Sequence, residues 1–218
     1  CCYGYKNVIF DIAPIVLLSG IFGARLYFCI FNYSYYFHNP LEILNFRGGG
    51  LSIHGAFLGG ILSLVYVVYK NPLNFMQICD SFCFALPLAQ AIGRWGNFFN
   101  SEAFGRPTNL PWGVYIPVEN RPEQYINSSF FQPTFLYESV LDLVIFCVLI
   151  LLQKTKKIKT GNLTAIYFIL YSIVRILVES IRIDCTTFVF RIPAPIVVSA
   201  IIIIVSCFYL FKNSKISE

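Results

Sequence analysis

The chain has 218 residues, 57% of them hydrophobic and 12% charged, with a mean hydropathy of +0.67 and a net charge of +5. Charged residues make up about a quarter of an ordinary soluble domain, so half of the usual polar cover is missing. A soluble enzyme, a disordered chain and a nucleic-acid-binding module all fit poorly, and a single multi-span membrane domain over residues 1–218 fits well.

Six apolar segments are long enough to cross a hydrocarbon core: about Ile9–Phe31, Leu51–Tyr69, Phe75–Phe99, Pro133–Leu152, Leu163–Ile181 and Ile192–Phe211. They predict an all-α, polytopic membrane helical bundle. Pro40, Pro72, Pro133 and Pro193 fall at or near span boundaries, where a missing N–H costs little, whereas Pro14 and Pro87 lie inside spans and predict local breaks in helical hydrogen bonding. The lysines Lys6, Lys70, Lys154, Lys156, Lys157, Lys159, Lys212 and Lys215 all fall at the termini or in alternate connections, a side that the positive-inside rule makes cytoplasmic. The arginines lie elsewhere. Arg25, Arg94 and Arg175 are in spans, and Arg47, Arg106, Arg121, Arg182 and Arg191 are in or near the opposite, external connections, Asn32–Gly50, Asn100–Gln132 and Ile183–Arg191.

A charged group inside a membrane is expensive enough to mark a functional site by default, although snorkelling or a structural ion pair would also account for a single one. In chain order, Arg25 in Gly23-Ala24-Arg25-Leu26-Tyr27 comes first; an acid on another span would be its partner. Gly48–Gly50 precedes His54 and offers N–H groups to an anion, while Gly55 and Gly59 form a small-xxx-small pair for close helix packing. His54 is either a hydrogen-bonded structural residue or a base or headgroup ligand. Gly93-Arg94-Trp95-Gly96-Asn97-Phe98-Phe99-Asn100-Ser101-Glu102 places Arg94, Asn97 and Ser101 on one face if its helix continues, with Gly93 and Gly96 open to close approach. Tyr137 sits where an interface-belt aromatic would, and Glu138 and Asp142, spaced i,i+4 in an apolar run, would answer neighbouring arginines or face a polar gap. In Arg175-Ile-Leu-Val-Glu179-Ser-Ile-Arg182 the three charged residues share one stripe, with Glu179 between two cations. Guanidinium forks suit phosphate oxygens, so Arg94 and Arg175 on separate helices resemble a clamp for a phospholipid headgroup. A structural ion-pair network is the competing reading.

The eight cysteines predict neither disulfides nor a metal site: Cys29, Cys79, Cys83, Cys147 and Cys207 lie in apolar stretches, and Cys79 and Cys83 have helix-face spacing. An anion or lipid transporter is the main alternative to an enzyme. It would show internal repeats or a cationic path across the membrane, whereas the chain has no visible repeat and gathers Arg94, Arg106, Arg175, Arg182 and His54 towards its external half.

Gly93 through Glu102 with Gly105-Arg106-Pro107-Thr108 resembles the signature of the prolipoprotein diacylglyceryl transferases of bacterial inner membranes. Gly49 through Gly55, Gln132-Pro133-Thr134 with Leu136-Tyr137-Glu138, Tyr171 through Arg182, and Gly23 through Tyr27 resemble the family's other motifs, in its order. Ala56, Trp95 and Gln132 depart from the family pattern without removing a charged residue. The resemblance implies transfer of a diacylglyceryl group from phosphatidylglycerol to the lipobox cysteine of a preprolipoprotein signal peptide. A thioether forms and glycerol phosphate leaves, at a site near the external face of a membrane whose lipids are the enzyme's surroundings. It implies catalytic roles for His54, Arg94 and Arg175, substrate-binding roles for Arg94, Asn97, Glu102, Gly105, Tyr137, Glu179, Arg182 and Arg25, and no metal or cofactor. It also implies a seventh span ahead of Ile9–Phe31.

Overall fold

The computed structural model of the chain describes residues 6–46, 49–71, 73–155, 158–183, 188–189 and 192–215. Arg47, Gly48, Pro72, Lys156, Lys157 and Arg191, like Cys1, Cys2 and Cys185, lie outside the described residues. Among the described residues, six helices are long and apolar enough to cross a membrane: α1 (Lys6–Phe31), α3 (Ile53–Lys70), α4 (Phe75–Phe99), α5 (Thr134–Lys154), α6 (Asn162–Glu179) and α7 (Ala194–Lys215). The chain is therefore an all-α, multi-pass membrane protein. The helices α1 and α4 continue through Pro14 and Pro87.

The chain divides into two compact units, Cys1–Ile78 and Cys79–Glu218. In the first, α1 packs on α3 backbone to backbone. A Cβ on Gly55 would collide with the Gly23 carbonyl, and one on Gly59 with the Ser19 carbonyl. The small-residue spacing thus works as expected: without side chains between them the two helices gain van der Waals contact that lipid cannot supply. After α1 the chain makes a short helix, α2 (Tyr33–His38), and a 3-10 turn at Pro40–Leu44. Neither was legible from hydropathy.

In the second unit, Ile145 and Leu149 of α5 pack with Leu163, Tyr167, Val174 and Val178 of α6 and with Cys83 of α4. Polar side chains also tie α4 to its neighbours. The Ser139 hydroxyl donates to the Ala91 carbonyl (2.8 Å) and the Tyr167 hydroxyl to Gln90 (3.0 Å). Asp80 accepts from Gly161 N (2.6 Å), Thr164 N (2.9 Å) and Thr164 Oγ1 (2.7 Å), so a carboxyl on α4 caps the start of α6. Gly161 takes φ +86° there, and a Cβ would strike the Tyr209 hydroxyl of α7.

The long connection between α4 and α5 is structured. Strands β1 (Val114–Tyr115) and β2 (Phe130–Phe131) pair antiparallel, Val114 opposite Phe131, and Phe104, Ile116 and Phe131 form a small buried core beneath them. Gly105 N donates to Gln132 O (2.8 Å) and Gln132 N to Arg106 O (3.0 Å), which extends this pairing to the start of α5. A second hairpin, β3 (Phe188–Val189) with β4 (Ile192–Pro193), leads into α7.

Candidate active site

Three charged helices of the second unit converge on one carboxylate. Glu138, on the first turns of α5, is 2% exposed, and its Oε2 lies 2.5 Å from Arg94 Nε of α4. Its Oε1 accepts from Arg175 Nη1 of α6. One buried anion therefore holds two guanidiniums from different helices side by side, against their mutual repulsion. Arg175 Nη2 reaches Glu179 Oε2 at 2.6 Å, and Arg182 lies 3.9 Å from the same oxygen. Arg94 Nη2 donates to the Tyr171 hydroxyl at 3.2 Å. The result is an alternating chain, Arg94–Glu138–Arg175–Glu179–Arg182, whose carboxylates are buried and whose arginines are partly exposed, 22% for Arg94 and 13% for Arg175. Buried ion pairs need such mutual satisfaction to offset desolvation, and partly exposed guanidinium edges suit an incoming anion.

Local sequence explains the convergence. Arg175 and Glu179 are one helical turn apart on α6. Pro133 precedes α5 and its carbonyl accepts from Leu136 N (3.0 Å) and Tyr137 N (3.2 Å), which starts the helix just ahead of Glu138. Arg182 lies beyond the end of α6, yet its N–H still reaches Val178 O (3.1 Å), so the stripe is held by one loosened turn.

Other expected site residues play parts that the sequence did not resolve. The helix α4 stops at Phe99, and Ser101 takes φ +54°, so Ser101 leaves the face that carries Arg94 and Asn97. The reason is a sharp turn: Glu102 N folds back onto Asn97 O (2.9 Å), and exposed Glu102 sits between two left-handed residues, Ser101 and Ala103. Gly105 is a packing glycine. A Cβ there would sit 3.0 Å from both Ile181 and Thr134, and its backbone bridges Arg182. Gly93 and Gly96, by contrast, have no described atom within 4 Å of a built Cβ, so close protein packing does not select glycine at either position. The Tyr137 hydroxyl accepts from Trp112 Nε1 at 3.0 Å.

His54 and Arg25 belong to the first unit. His54 is exposed near the start of α3, its ring stacked on Tyr27 at 6.0 Å between centroids. Among the described residues Arg25 is held by backbone carbonyls and not by an acid. Its Nε donates to Ile43 O (3.0 Å), Nη1 to Gly49 O (2.6 Å) and Gly50 O (3.1 Å), and Nη2 to Glu42 O. Gly49 and Gly50 take φ +81° and +73°, so this glycine loop turns its carbonyls toward a cation of the chain itself. The sequence offers Glu138 as one of two acids that would answer neighbouring arginines and does not single out Asp80. Both were marked by the same signal, a carboxyl inside an apolar run. Among the described residues no group of three or more His, Cys, Asp or Glu forms a metal site.

The helices and the arginine–carboxylate chain define a class, a multi-pass membrane protein with a buried ion chain inside its second helical unit. Residues 4–212 match the family model of prolipoprotein diacylglyceryl transferase, and the chain belongs to that family. It is 47% identical over 203 residues to the phosphatidylglycerol–prolipoprotein diacylglyceryl transferase of Thermotoga petrophila, covering 91% of this chain and 69% of the relative. The enzyme of that name from Fervidobacterium nodosum is 48% identical over 169 residues, 77% of this chain and 58% of the relative. That from Synechococcus elongatus is 45% identical over 184 residues, 82% of this chain and 63% of the relative.

Proposed function

We propose that this protein transfers the diacylglyceryl group of phosphatidylglycerol to the lipobox cysteine thiol of a preprolipoprotein signal peptide. The thiol sulfur attacks the glycerol carbon that bears the phosphate. A C–S bond forms, the C–O bond to phosphate breaks, and glycerol phosphate leaves with the bonding pair. The observation that supports this reading most is the pairing of Arg94 and Arg175 on opposite oxygens of Glu138. Two fixed guanidinium forks then face one phosphate, and they stabilise it more as charge develops on the departing oxygen.

In this reading Arg94 and Arg175 are catalytic, and Glu179 and Arg182 complete the anion-binding chain. Tyr137, Asn97, Glu102 and Gly105 shape its surroundings. A free thiol with a pKa near ~8.5 is mostly protonated at neutral pH, and a base such as His54, or the cationic field of Arg94 and Arg175, would raise its thiolate fraction. Arg25 supports the loop that precedes His54. The site is placed near the external face of a bacterial inner membrane, because the lysine-bearing connections mark the other side as cytoplasmic. A membrane-impermeant thiol reagent should accordingly label a cysteine introduced into the α5–α6 loop only from the cytoplasmic face.

The deciding experiment incubates the purified protein with phosphatidylglycerol and a lipobox peptide and measures the peptide's mass. A diacylglyceryl increment that disappears in Arg94→Ala and Arg175→Ala proteins, both correctly inserted, is expected. Wild-type rates in either variant would sink the clamp.

A further inference from the structure

The lysines mark a membrane side by sequence, and the second unit brings several of them to one end. Residues 154–159 and 212–215 carry six lysines, while residues 143–178 and 185–217 contain no Asp or Glu. The end of α7 is tied to the loop between α5 and α6 without any carboxylate. Lys159 Nζ donates to Asn213 O (2.9 Å), Asn213 Nδ2 to Asn162 Oδ1 (2.7 Å), and the Tyr209 hydroxyl to Thr160 O (3.4 Å). Lys154 on the last turn of α5, Lys159 in the loop and Lys212 on α7 are all exposed. None of the three joins an ion pair among the described residues. Asp80, which caps α6 beside this loop, is buried and already receives three donors. The Asn213 carbonyl fixes the exposed Lys159 ammonium without cancelling its charge, and two of its three N–H groups remain for an outside acceptor.

We propose that this end of the second unit is a docking surface for anionic phospholipid headgroups of the membrane leaflet beside it. Charge complementarity carries the choice of occupant. Runs of ~4–8 cations directly next to a membrane helix attract anionic headgroups, each lysine near the surface favouring them by about fivefold. Lysine suits a fluid headgroup layer, because a compact ammonium on a flexible stem does not demand the paired oxygens that an arginine fork selects. Membrane orientation alone asks only that lysines share a side; it does not ask that the α5–α6 loop be tied to α7. The surface lies at the far ends of α5 and α6 from Glu138 and Glu179, so it does not depend on the transfer reaction proposed above.

Spin-labelled lipids test this with the whole protein in phosphatidylcholine bilayers, by electron spin resonance of the lipid held at the protein surface. At low salt the protein should hold labelled phosphatidylserine at least about threefold over labelled phosphatidylcholine, within what one or two lysines supply. That ratio should fall to about one in the combined Lys154→Gln, Lys159→Gln and Lys212→Gln protein. It should do the same in the wild type at ~1 M salt, where the screening length is ~3 Å; this arm decides the matter should the variant fail to insert. The arginine chain is common to every sample, so differences between variants belong to the lysines. A wild type without preference, or a preference that survives either treatment in folded protein, would overturn the proposal. Lys159→Gln alone should lower the ratio about twofold, and Lys70→Gln, at the end of α3, should leave it unchanged. Equal effects of the two would assign the preference to diffuse charge and overturn the docking surface. Inorganic phosphate that competes better than chloride at equal ionic strength would reveal a soluble-anion site and overturn the lipid headgroup as occupant.

Discussion

Arg25 and the pair Arg94 and Arg175 show two ways of keeping a guanidinium inside a membrane protein. Arg25 is buried and gives its N–H groups to four backbone carbonyls of the loop between α1 and α3. It also lies over the Tyr36 ring, 5.3 Å from the centroid. Carbonyl dipoles satisfy its hydrogen bonds but leave its charge uncancelled and enclosed, so it acts as a pin for the loop. Arg94 and Arg175 are bound by carboxylates and keep exposed edges. Carboxylates hold position while leaving room for a further anion to share the same forks. The type of acceptor, carbonyl or carboxylate, therefore separates a structural arginine from one suited to bind a ligand.

Lysine substitutions break the comparison most directly. Arg175→Lys keeps the charge but loses the planar fork that spans Glu138 and Glu179. Turnover should fall by at least about 100-fold, within the range for losing one preorganised charge-stabilising donor, and by far more than the loss of folded protein. Arg25→Lys should do the reverse. A single ammonium cannot reach all four carbonyls, and orphaned buried acceptors cost ~1–3 kcal/mol each, reduced by relaxation of the loop. Melting in detergent should shift clearly, with loss of turnover no greater than the loss of folded protein. Turnover that tracks the amount of folded protein in both variants would erase the distinction.

Asp80 extends the same logic to an anion. It caps α6 from α4 through three hydrogen bonds and joins no ion pair among the described residues. Asp80→Ala should cost ~1–3 kcal/mol, since it removes a cap and leaves the N–H groups of Gly161 and Thr164 unpaired. The KM for phosphatidylglycerol should not move. Unfolding in detergent, followed by tryptophan fluorescence alongside turnover, would separate this from a role in binding.

The helices were legible because a 20-residue apolar run leaves few alternatives in lipid, and the six spans end within a few residues of expectation. Arg94, Arg175, Glu179 and Arg182 were legible for a related reason, as charges in apolar or helical sequence with one-turn spacing. The central role of Glu138 was not. Periodicity places a residue on a face of its own helix, but it does not say which neighbouring helix that face meets. The partners of Arg25 are hidden for the same reason, since they are backbone carbonyls that carry no side-chain signal. The end of α4 was lost as well. Asn97 through Ser101 continues the helical pattern, and the left-handed conformations of Ser101 and Ala103 follow from the turn that packs Ala103 and Phe104 beneath α5 and β2.

That turn yields the smallest expected effect. Ser101 holds φ +54°, a region that costs an L-residue ~1–2 kcal/mol and a glycine almost nothing. The bond from Ser101 N to Phe98 O, 3.1 Å, is made by the backbone and survives substitution. Ser101→Gly removes the strain but gives the unfolded chain more freedom, which returns ~0.4–1 kcal/mol. The net gain should be about 0.5–1 kcal/mol, visible as a small rise in melting temperature. Because Glu102 and Gly105 follow directly and Arg94 stands two helical turns before, turnover measured with the same protein gives the result its meaning. A stability gain with unchanged turnover places this turn with Arg25, as a device of the fold. The same gain with lower turnover would place it with Arg94 and Arg175, as strain held for the benefit of the reaction.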